Sequence, residues 1–580
     1  MSGYFFFTLF DFGASTYLLL LSSITTALYV LYRYLLPKPI PGIPYNKRAI
    51  KSLLGDVLPM LKHIGETQEL YTWITAQNVK LNSPIIQLFA RPFSKPWVIV
   101  TDWREAQDIL LRRTKEFDRS NFFGDIFVGL VPKHHISMKT NDEFKQHRRW
   151  LQDLMTPAFL HKTAAPHIYN ACLDMLQLWE RKSEIAKEHP FNAPGDIYRA
   201  ALDAVWFMVF GANLSNSTTK ASLRNLLSAK TIELPSDIDA EAPIIDAPLP
   251  PCMQSVITLS ESLETSLKSP LPVLAHWFLR QTPAMRKAIA VKDKFIKEEI
   301  DKTIARFAGK QEKDMDVRCA MDDILRRETL LADKDGREPM FHSRSMYDEI
   351  FGFVVGAHDT TATTLTWALK LFADNPDVQG KFRSEIQSAQ NAAVSENRIP
   401  SVEEITKTNI PYMDAVVEEI VRCSLTEATI ARTAMADVEV LGHRIPKGTD
   451  VFLMGNGPSF FSPAFQIHDK LRSQTCLSAK ERVGSWDPED MAVFNPERWL
   501  AEEDGTKVFN AAAGPLLTFG LGPRGCYGRR MAYLEMKIFL TLIVWTFELQ
   551  RCPAGLSGYA AVDKLTHAPR QCYVRLRRVE

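Results

Sequence analysis

The sequence predicts a mainly α-helical domain with a small β-rich lobe, preceded by one N-terminal transmembrane helix. Long segments with apolar residues at helical spacing indicate the helical part, and the longest are residues 165–310, 345–375 and 529–547. Short β-rich runs near residues 83–101 and 432–454 indicate the smaller lobe. An uncharged run close to the N-terminus indicates the transmembrane helix.

That run, residues 12–32, contains no charged side chain. At a rise of 1.5 Å per residue, about 21 residues span roughly 31 Å, which is enough for the hydrocarbon core of a bilayer. Five basic residues follow within residues 33–51 and none precedes the run, so the positive-inside rule places the C-terminal side in the cytosol. A cleaved signal peptide, the alternative, would have a basic N-terminal flank. We therefore expect a lumenal tail (1–11), an anchor, a proline-rich hinge (33–44) and one domain (45–580).

The composition is that of an ordinary globular protein, with 46% hydrophobic residues, 24% charged residues and a net charge of +1. This balance gives no reason to expect a nucleic-acid partner, which a strongly basic chain would suggest. The eight cysteines are scattered and include no CxxC pair. They therefore indicate neither a zinc site nor a disulfide framework, and they fit a reducing compartment.

In the N-terminal half, residues 83–101 predict a hairpin, because the two β-rich runs PIIQLFA and WVIV are separated by RPFSKP. A helix should follow at residues 103–113. Residues 117–139 mix glycine, proline and aromatic side chains and predict a long loop. Residues 165–310 predict helices with one irregular break at 233–251, which is rich in proline and acidic residues.

In the C-terminal half, residues 345–375 predict a long helix that ends at the Asn-Pro pair. Residues 412–423 predict a shorter helix, and residues 432–454 predict a hairpin and a further strand. Residues 465–486 are polar and predict a loop insertion. The last segment, residues 552–580, predicts closing strands, with a pocket residue near Ala560 or Ala561.

The stretch FGLGPRGCYGRRMAYLE, residues 519–535, is the most informative part of the chain. Glycines, a proline and an arginine precede Cys526, and a long apolar helix follows it. The partial positive charge at a helix N-terminus favours a thiolate, and the glycines let the backbone approach a flat partner. The residues thus predict a low-pKa thiolate suited to iron. A buried structural cysteine is the alternative.

This stretch resembles the haem-ligand loop of the cytochrome P-450 monooxygenases. The matching positions are Phe519, Gly522, Arg524, Cys526, Gly528, Ala532 and Glu535. The resemblance implies that Cys526 is the axial thiolate ligand of haem b and that Phe519 and Gly528 help to form the cofactor site. It also implies that Arg524 pairs with a haem propionate.

A second chemical centre is the GAHDTT sequence within the long helix. Glycine, a charge and two threonines are poor helix formers. One explanation is that Thr360 bonds the carbonyl of Gly356 and bends the helix. The family's oxygen-activation motif is small residue, glycine, any residue, acid, threonine; Ala357 stands in place of the glycine. The resemblance implies catalytic roles for Asp359 and Thr360 in proton delivery to dioxygen.

Further cofactor contacts follow from the resemblance. The family pattern Trp, three residues, Arg is represented by Phe144 and Arg148, so the hydrogen bond from an indole N–H is lost. Arg432 is in the position of a further propionate ligand. The segment 427–430 should line the pocket. The aromatic loop at 117–139 either packs on the core or forms a wall of the apolar pocket; its apolar residues are Phe122, Phe123, Phe127 and Val128.

A structural network is also implied. Glu419 and Arg422 are three residues apart and share one helix face, an arrangement that on its own is usually a solvated surface pair. The family joins such a pair to an arginine in a later loop, and FNPERW supplies Arg498. The resemblance therefore implies a buried network on the haem side of the core.

Together these features imply a haem-thiolate monooxygenase that inserts one oxygen atom of dioxygen into a lipophilic small molecule, by hydroxylation or epoxidation. The chain has no flavin or nicotinamide motif, so electrons should come from NADPH through a separate NADPH–cytochrome P-450 reductase, with cytochrome b5 as a second candidate donor. Arg149, Arg529 and Arg530 are candidates for the basic docking face. The implied location is the endoplasmic reticulum membrane, with a single span and a cytosolic catalytic domain.

The GAHDTT variant and the polar insertion are similar to filamentous-fungal members that act in secondary-metabolite biosynthesis. Two alternatives stay open. One is a haem-thiolate isomerase or dehydratase acting on peroxides, a class that tends to lack the acid–threonine pair present here. The other is a non-catalytic haem-binding sensor or carrier, which would need neither Asp359 nor Thr360.

Overall fold

The computed structural model describes residues 14–211, 217–228, 232–311 and 315–579 of the 580-residue chain. The predicted lumenal tail and the first two residues of the predicted anchor lie outside this part. The described chain is mainly helical with small sheets, which confirms the predicted fold class.

The α-helices of the described residues are numbered in chain order. They are α1 Ala14–Leu35, α2 Val57–Thr67, α3 Tyr71–Lys80, α4 Trp103–Leu111, α5 Asn121–Val128, α6 Asp142–Leu151, α7 Pro157–Phe159, α8 Ala165–Ala186, α9 Pro194–Phe210, α10 Thr218–Ser228, α11 Pro251–Lys268, α12 Pro272–Leu279, α13 Pro283–Phe307, α14 Ala320–Asp335, α15 Arg344–Asp374, α16 Pro376–Ala389, α17 Asn391–Ser395, α18 Val402–Lys407, α19 Pro411–Ser424, α20 Gln474–Ser478 and α21 Arg529–Thr546.

The β-strands of the described residues are short. They are β1 Ile85–Leu88, β2 Trp97–Val100, β3 Phe117–Arg119, β4 Phe191–Asn192, β5 Thr429–Ala434, β6 Val438–Val440, β7 His443–Ile445, β8 Asp450–Met454, β9 Leu500–Glu503, β10 Thr506–Phe509, β11 Phe547–Gln550, β12 Ala561–Asp563, β13 His567–Pro569 and β14 Tyr573–Arg578.

The largest sheet has the strand order β1-β2-β8-β5-β3. Strands β2 and β8 run parallel, and the other neighbours run antiparallel. The predicted hairpin at 83–101 is the β1–β2 pair. In the pairing of β3 with β5, Arg119 lies directly opposite Arg432. Like charges in that register destabilise a sheet unless another group compensates them.

The N-terminal helix α1 contains a segment, Tyr17–Leu35, that is long and apolar enough to cross a membrane, and none of it is buried by the rest of the chain. The helix extends beyond the predicted end at residue 32. It ends at Leu35, because Pro37 disfavours helical geometry in the residue before it. The following hinge is not a free spacer. Gln87 bonds the backbone of Ile40 and Ile43 at 2.8 Å, and both isoleucines are buried.

Helix α15 is the centre of the helical core. It has 31 residues, begins at the cap formed by the Ser343 side chain and ends before Pro376. It packs against α9, α19 and α21. Helix α21 follows the loop that contains Cys526, so the core holds this loop close to α15.

The prediction of a long loop at 117–139 is wrong. It contains strand β3 and helix α5, whose N-terminus is capped by the Ser120 side chain bonding the Phe123 N–H at 3.5 Å. Both alternatives for its aromatic residues hold in part, because Phe122 packs in the buried core while Phe123 and Phe127 face a cavity. A pocket residue was expected near Ala560 or Ala561. Ala561 is instead buried in β12, and the residue of this segment that faces the cavity is Leu565.

Candidate active site

A cavity lies between the middle of α15 and the loop before α21. Its wall is mostly apolar, with polar groups from α15, β5 and the loop. Among the lining residues are Phe123, Phe127, Val131, Val355, Gly356, Thr360, Thr364, Thr426, Glu427, Ile430, Phe519, Cys526, Met536 and Leu565. The cavity therefore brings together Cys526 and Thr360, which are 166 residues apart in the sequence.

The loop before α21 presents Cys526 to the cavity. The Cys526 N–H donates to the Phe519 carbonyl at 2.7 Å, and the exposed surface of Cys526 faces the cavity, which the rest of the chain encloses. Gly522 has φ +69°, and a Cβ there would lie 2.2 Å from the Leu110 carbonyl oxygen, so only glycine fits this close approach. Gly528 is the residue before α21, and its N–H is directed to the Cys526 sulfur.

The prediction of a low pKa for the Cys526 thiol is wrong for the chain without a bound metal. Burial raises its pKa above the ordinary value, while the Gly528 N–H and the nearby Arg148 and Arg529 guanidinium groups oppose that rise without cancelling it. The helix N-terminus is thus a weaker influence than desolvation. A metal ion that binds the sulfur would itself displace the proton.

Four arginines surround one end of the cavity: Arg119, Arg148, Arg432 and Arg524. Burial and the neighbouring Arg119 lower the pKa of Arg432 to about 9 and the pKa of Arg524 to about 8. Burial lowers the pKa of Arg119 to about 10. Such a cluster of buried cations is costly without anions to compensate it.

The hydrogen bonding of these arginines is incomplete. Arg524 donates to the carbonyls of His135 and Ile136 at 3.3 Å, but its Nε and Nη1 are buried without a partner, as is the Nε of Arg119. At Gly356, on the α15 side, an added Cβ would meet no atom within 4 Å. The residues present therefore fit a flat group that carries carboxylates and offers a metal to the sulfur of Cys526.

The Phe144 ring packs against the arginines at this end of the cavity. The ring lies 3.9 Å from the Arg524 guanidinium carbon, and the Arg148 guanidinium lies 4.0 Å from the Tyr527 ring centroid. These aromatic faces orient the two arginines by cation–π contact. The indole N–H has no replacement at Phe144.

Of the two neighbouring residues on α15, Thr360 lines the cavity and Asp359 contacts Thr566. The Thr360 hydroxyl lines the cavity and donates to the Gly356 carbonyl at 3.0 Å, as the structural explanation of this motif requires. Asp359 accepts a hydrogen bond of 3.2 Å from Thr566, and burial raises the pKa of its carboxyl. From Thr566, hydroxyl contacts of 3.0 and 2.7 Å lead through Thr363 to Tyr198.

Glu419, Arg422 and Arg498 form a buried network behind the loop. Arg422 makes two hydrogen bonds to the Glu419 carboxylate, at 2.8 and 2.7 Å. Arg498 Nε and Trp499 Nε1 donate to the same carboxylate at 3.1 and 2.9 Å. This shared carboxylate joins α19 to the segment before β9.

Two features of the site do not follow from the sequence motifs. Arg119 belongs to no motif, and only its register opposite Arg432 brings it to the cavity. His135 and His147 each contact the buried Glu349 carboxylate, at 2.7 and 2.8 Å. Nothing in the local sequence joins residues this far apart. These hydrogen bonds to one carboxylate attach α6 and the loop before it to α15.

A family model described as cytochrome P-450 matches residues 58–457 and 487–556 of the chain. The chain is 37% identical over 578 residues to the cytochrome P-450 monooxygenase TRI13 of Fusarium sporotrichioides, an alignment that covers 96% of this chain and 98% of the relative. It is also 37% identical over 572 residues to the cytochrome P-450 monooxygenase GME11363 of Pestalotiopsis microspora, with 98% and 99% covered. The protein xilC of Penicillium rubens, which has the same description, is 36% identical, with 97% and 96% covered.

The family model leaves residues 458–486 unmatched, and this gap includes the polar insertion predicted at 465–486. The insertion is not a loose loop. Arg472 is buried and bonds Asp102, before α4, at 2.6 and 2.9 Å. Ser473 and Thr475 bond Asp108 of α4 at 2.6 and 2.9 Å. These contacts hold the insertion against the helix that also touches Gly522.

Proposed function

The chain belongs to the cytochrome P-450 family, and on that premise we propose that it is a haem-thiolate monooxygenase of fungal secondary metabolism. Its reaction is the insertion of one oxygen atom of dioxygen into a lipophilic small molecule, by hydroxylation or epoxidation. The observation that carries the proposal is the shared cavity, in which Cys526 faces the Thr360 segment of α15 beside a cluster of buried arginines.

Cys526 would hold the haem iron through its sulfur, with Phe519 and Gly528 shaping the loop around it. Arg148, Arg432 and Arg524 hold the propionates, and Arg119 joins them because its Nε lacks a partner at the same end of the cavity. When bound, the haem supplies dioxygen activation, and the thiolate ligand favours cleavage of the O–O bond. The network of Glu419, Arg422 and Arg498 fixes the core behind the loop.

Thr360 and Asp359 deliver protons in the proposed mechanism. The Thr360 hydroxyl faces the cavity, so it can hold a proton at the dioxygen side. Burial raises the pKa of the Asp359 carboxyl above its ordinary value, which favours uptake of a proton by this group. The hydroxyls of Thr566, Thr363 and Tyr198 orient the Asp359 carboxyl on the side away from Thr360.

Electrons come from NADPH through a separate reductase in this proposal, with cytochrome b5 as a second candidate donor. The anchor, residues 12–32, holds the chain in the endoplasmic reticulum membrane after a lumenal tail at 1–11. The hinge at 33–44 connects it to a cytosolic domain at 45–580. Arg149, Arg529 and Arg530 belong to the proposed docking face, although Arg529 also pairs with Glu418 at 3.3 Å.

The isomerase and sensor alternatives gain no support from the geometry. Both classes can do without an acid–threonine pair on α15, whereas here Thr360 faces the cavity and Asp359 is half-buried with a hydroxyl partner. Turnover with the reductase and NADPH separates the three. A product formed from a peroxide alone, and never from dioxygen, would contradict the monooxygenase assignment.

The direct test of the site is Cys526→Ser in the full chain, loaded with haem. A serine oxygen cannot give the strongly donating thiolate, so we expect the shifted ferrous–CO absorption band to be lost. Cys252→Ser is the matched control, because Cys252 is only half-buried and lies outside the cavity. If the band persists in the Cys526 variant, the ligand is another residue.

A further inference from the structure

One polar group in the cavity has no part in the proposed machinery: the carboxyl of Glu427. This residue precedes β5 and lines the cavity next to Thr426. The Thr426 hydroxyl lies 2.7 Å from the hydroxyl of Thr364, one turn after Thr360 on α15. Glu427 therefore lies beside the part of the cavity where α15 presents its catalytic segment.

The surroundings of the Glu427 carboxyl satisfy it only in part. It accepts a hydrogen bond from the backbone N–H of Thr429, and among the described residues no side chain forms a hydrogen bond with it. The Arg119 guanidinium and the backbone N–H of Thr429 lower its pKa only in part, and burial raises that pKa to about 8. At neutral pH the group is mostly a protonated carboxylic acid, which can both donate and accept a hydrogen bond.

A carboxylic acid that has exchanged water for a single backbone contact is costly to place beside an apolar wall. An apolar side chain would avoid that cost, and the neighbouring wall is apolar, with Phe123, Phe127 and Val355. The fold gains nothing visible from the acid, since it ties no two elements together. A ligand group that enters the cavity with a hydrogen-bonding oxygen would satisfy it.

We infer that Glu427 is a substrate-contact residue that binds an oxygen function, a hydroxyl or a carbonyl, already present on the lipophilic substrate. The inference rests on the proposed function, because it assigns the substrate class of the same cavity. It also places the reaction after one that has installed oxygen on the carbon skeleton, such as an earlier hydroxylation or a cyclisation that leaves a hydroxyl. A bare hydrocarbon would leave the acid with only its backbone contact and would bind less tightly.

The test uses the full-length holoenzyme and probes that bind through the haem iron, so that the natural substrate need not be known. The probes are 4-phenylimidazole and 4-(biphenylyl)imidazole, together with analogues that carry one hydroxyl at successive ring positions. The imidazole nitrogen anchors each probe and gives an absorption shift, and the hydroxyl samples increasing distances from the iron. Dissociation constants are measured for the wild type, Glu427→Leu and Glu427→Gln.

We expect at least one hydroxylated isomer to bind the wild type about tenfold more tightly than its parent, which corresponds to about one good hydrogen bond. That advantage should vanish in Glu427→Leu, while the parent binds equally well or better. Glu427→Gln should keep part of it, because the amide still donates and accepts. Glu481→Leu, a change of the same chemistry at an exposed residue outside the cavity, should leave it unaltered.

The inference is overturned if no hydroxylated isomer gains affinity, or if the gain is the same in Glu427→Leu. It is also overturned if Glu427→Leu weakens the parent probe and haem retention together, because Glu427 would then be a structural partner of Arg119. Failure of the proposed function looks different. The parent imidazole would give no absorption shift and the wild type no shifted ferrous–CO band, and the inference would fail with the haem site.

Discussion

The network around Glu419 allows a quantitative test of what holds the core behind the ligand loop. We consider Glu419→Gln, which keeps the shape of the side chain and removes its charge. The carboxylate is fully buried and accepts hydrogen bonds from Arg422, Arg498, Trp499 and the Asn495 N–H. A glutamine can replace only one of the two oxygens. Its amide nitrogen is a donor and must face another donor.

The contacts set the size of the effect. With the amide oxygen in place of Oε1, the amide nitrogen replaces Oε2, the acceptor for Arg422 Nε and Trp499 Nε1. Each orphaned buried donor costs about 1–3 kcal/mol. The same change removes the buried counter-ion of Arg422, and the typical cost of breaking a buried pair, about 3–5 kcal/mol, already includes those orphaned donors. We expect the free energy of unfolding to fall by about 3–5 kcal/mol, against a total of about 5–15 kcal/mol for most domains.

The measurement is urea unfolding of the detergent-solubilised full chain, followed by far-ultraviolet circular dichroism and by tryptophan fluorescence, which includes Trp499. Coincident transitions from the two signals would justify a two-state free energy. Glu66→Gln is the control, because Glu66 pairs with Lys62 at 3.9 Å on an exposed helix face and should matter by no more than about 0.5 kcal/mol. A loss below about 1 kcal/mol for Glu419→Gln would refute the reasoning.

Two further predictions concern the cavity. Thr360→Val should raise the share of NADPH electrons recovered as hydrogen peroxide, because the hydroxyl proposed to deliver protons is gone. Thr366→Val, a buried change on the same helix, should leave that share unaltered. An unchanged peroxide yield in Thr360→Val would place proton delivery elsewhere. Arg432→Met should weaken haem retention about tenfold or more, because a charge-assisted hydrogen bond is lost. The same change should raise the melting temperature of the haem-free protein, because it relieves the repulsion between Arg432 and Arg119. Hemin titration and thermal melts of both forms check this, with the exposed Arg444→Met as control; a fall in both quantities would argue against a propionate role.

The parts of the site that could be predicted from the sequence are contiguous motifs. Cys526 and the glycines around it occupy one loop, and Asp359 and Thr360 are neighbours on one helix, so their spacing was visible without a fold. The structure brings the two motifs to one cavity, while their roles stay predictions. The pKa of Cys526 could not be predicted, because desolvation depends on what the remainder of the chain packs around the sulfur.

The parts that escaped prediction depend on long-range packing. Arg119 acquires its place from the pairing of β3 with β5, more than 300 residues apart. Helix α5 was missed because its run of aromatics and a glycine obscured the Ser120 capping signal. The attachment of the hinge to the core was also missed, since nothing in its prolines indicates that Gln87 would bond its backbone.

The cavity holds groups with opposite electrostatic demands, and this contrast argues for two occupants. Burial and neighbouring arginines lower the pKa of Arg432 and of Arg524, a condition that a dianionic group would relieve. Near Thr364, the acid Glu427 has its pKa raised by burial and would be satisfied by a neutral oxygen function. No single ligand class meets both demands, because an anion beside Glu427 would repel its ionised form and a neutral lipophile would leave the arginines uncompensated. A dicarboxylate cofactor and an oxygenated lipophilic substrate together satisfy each set of residues.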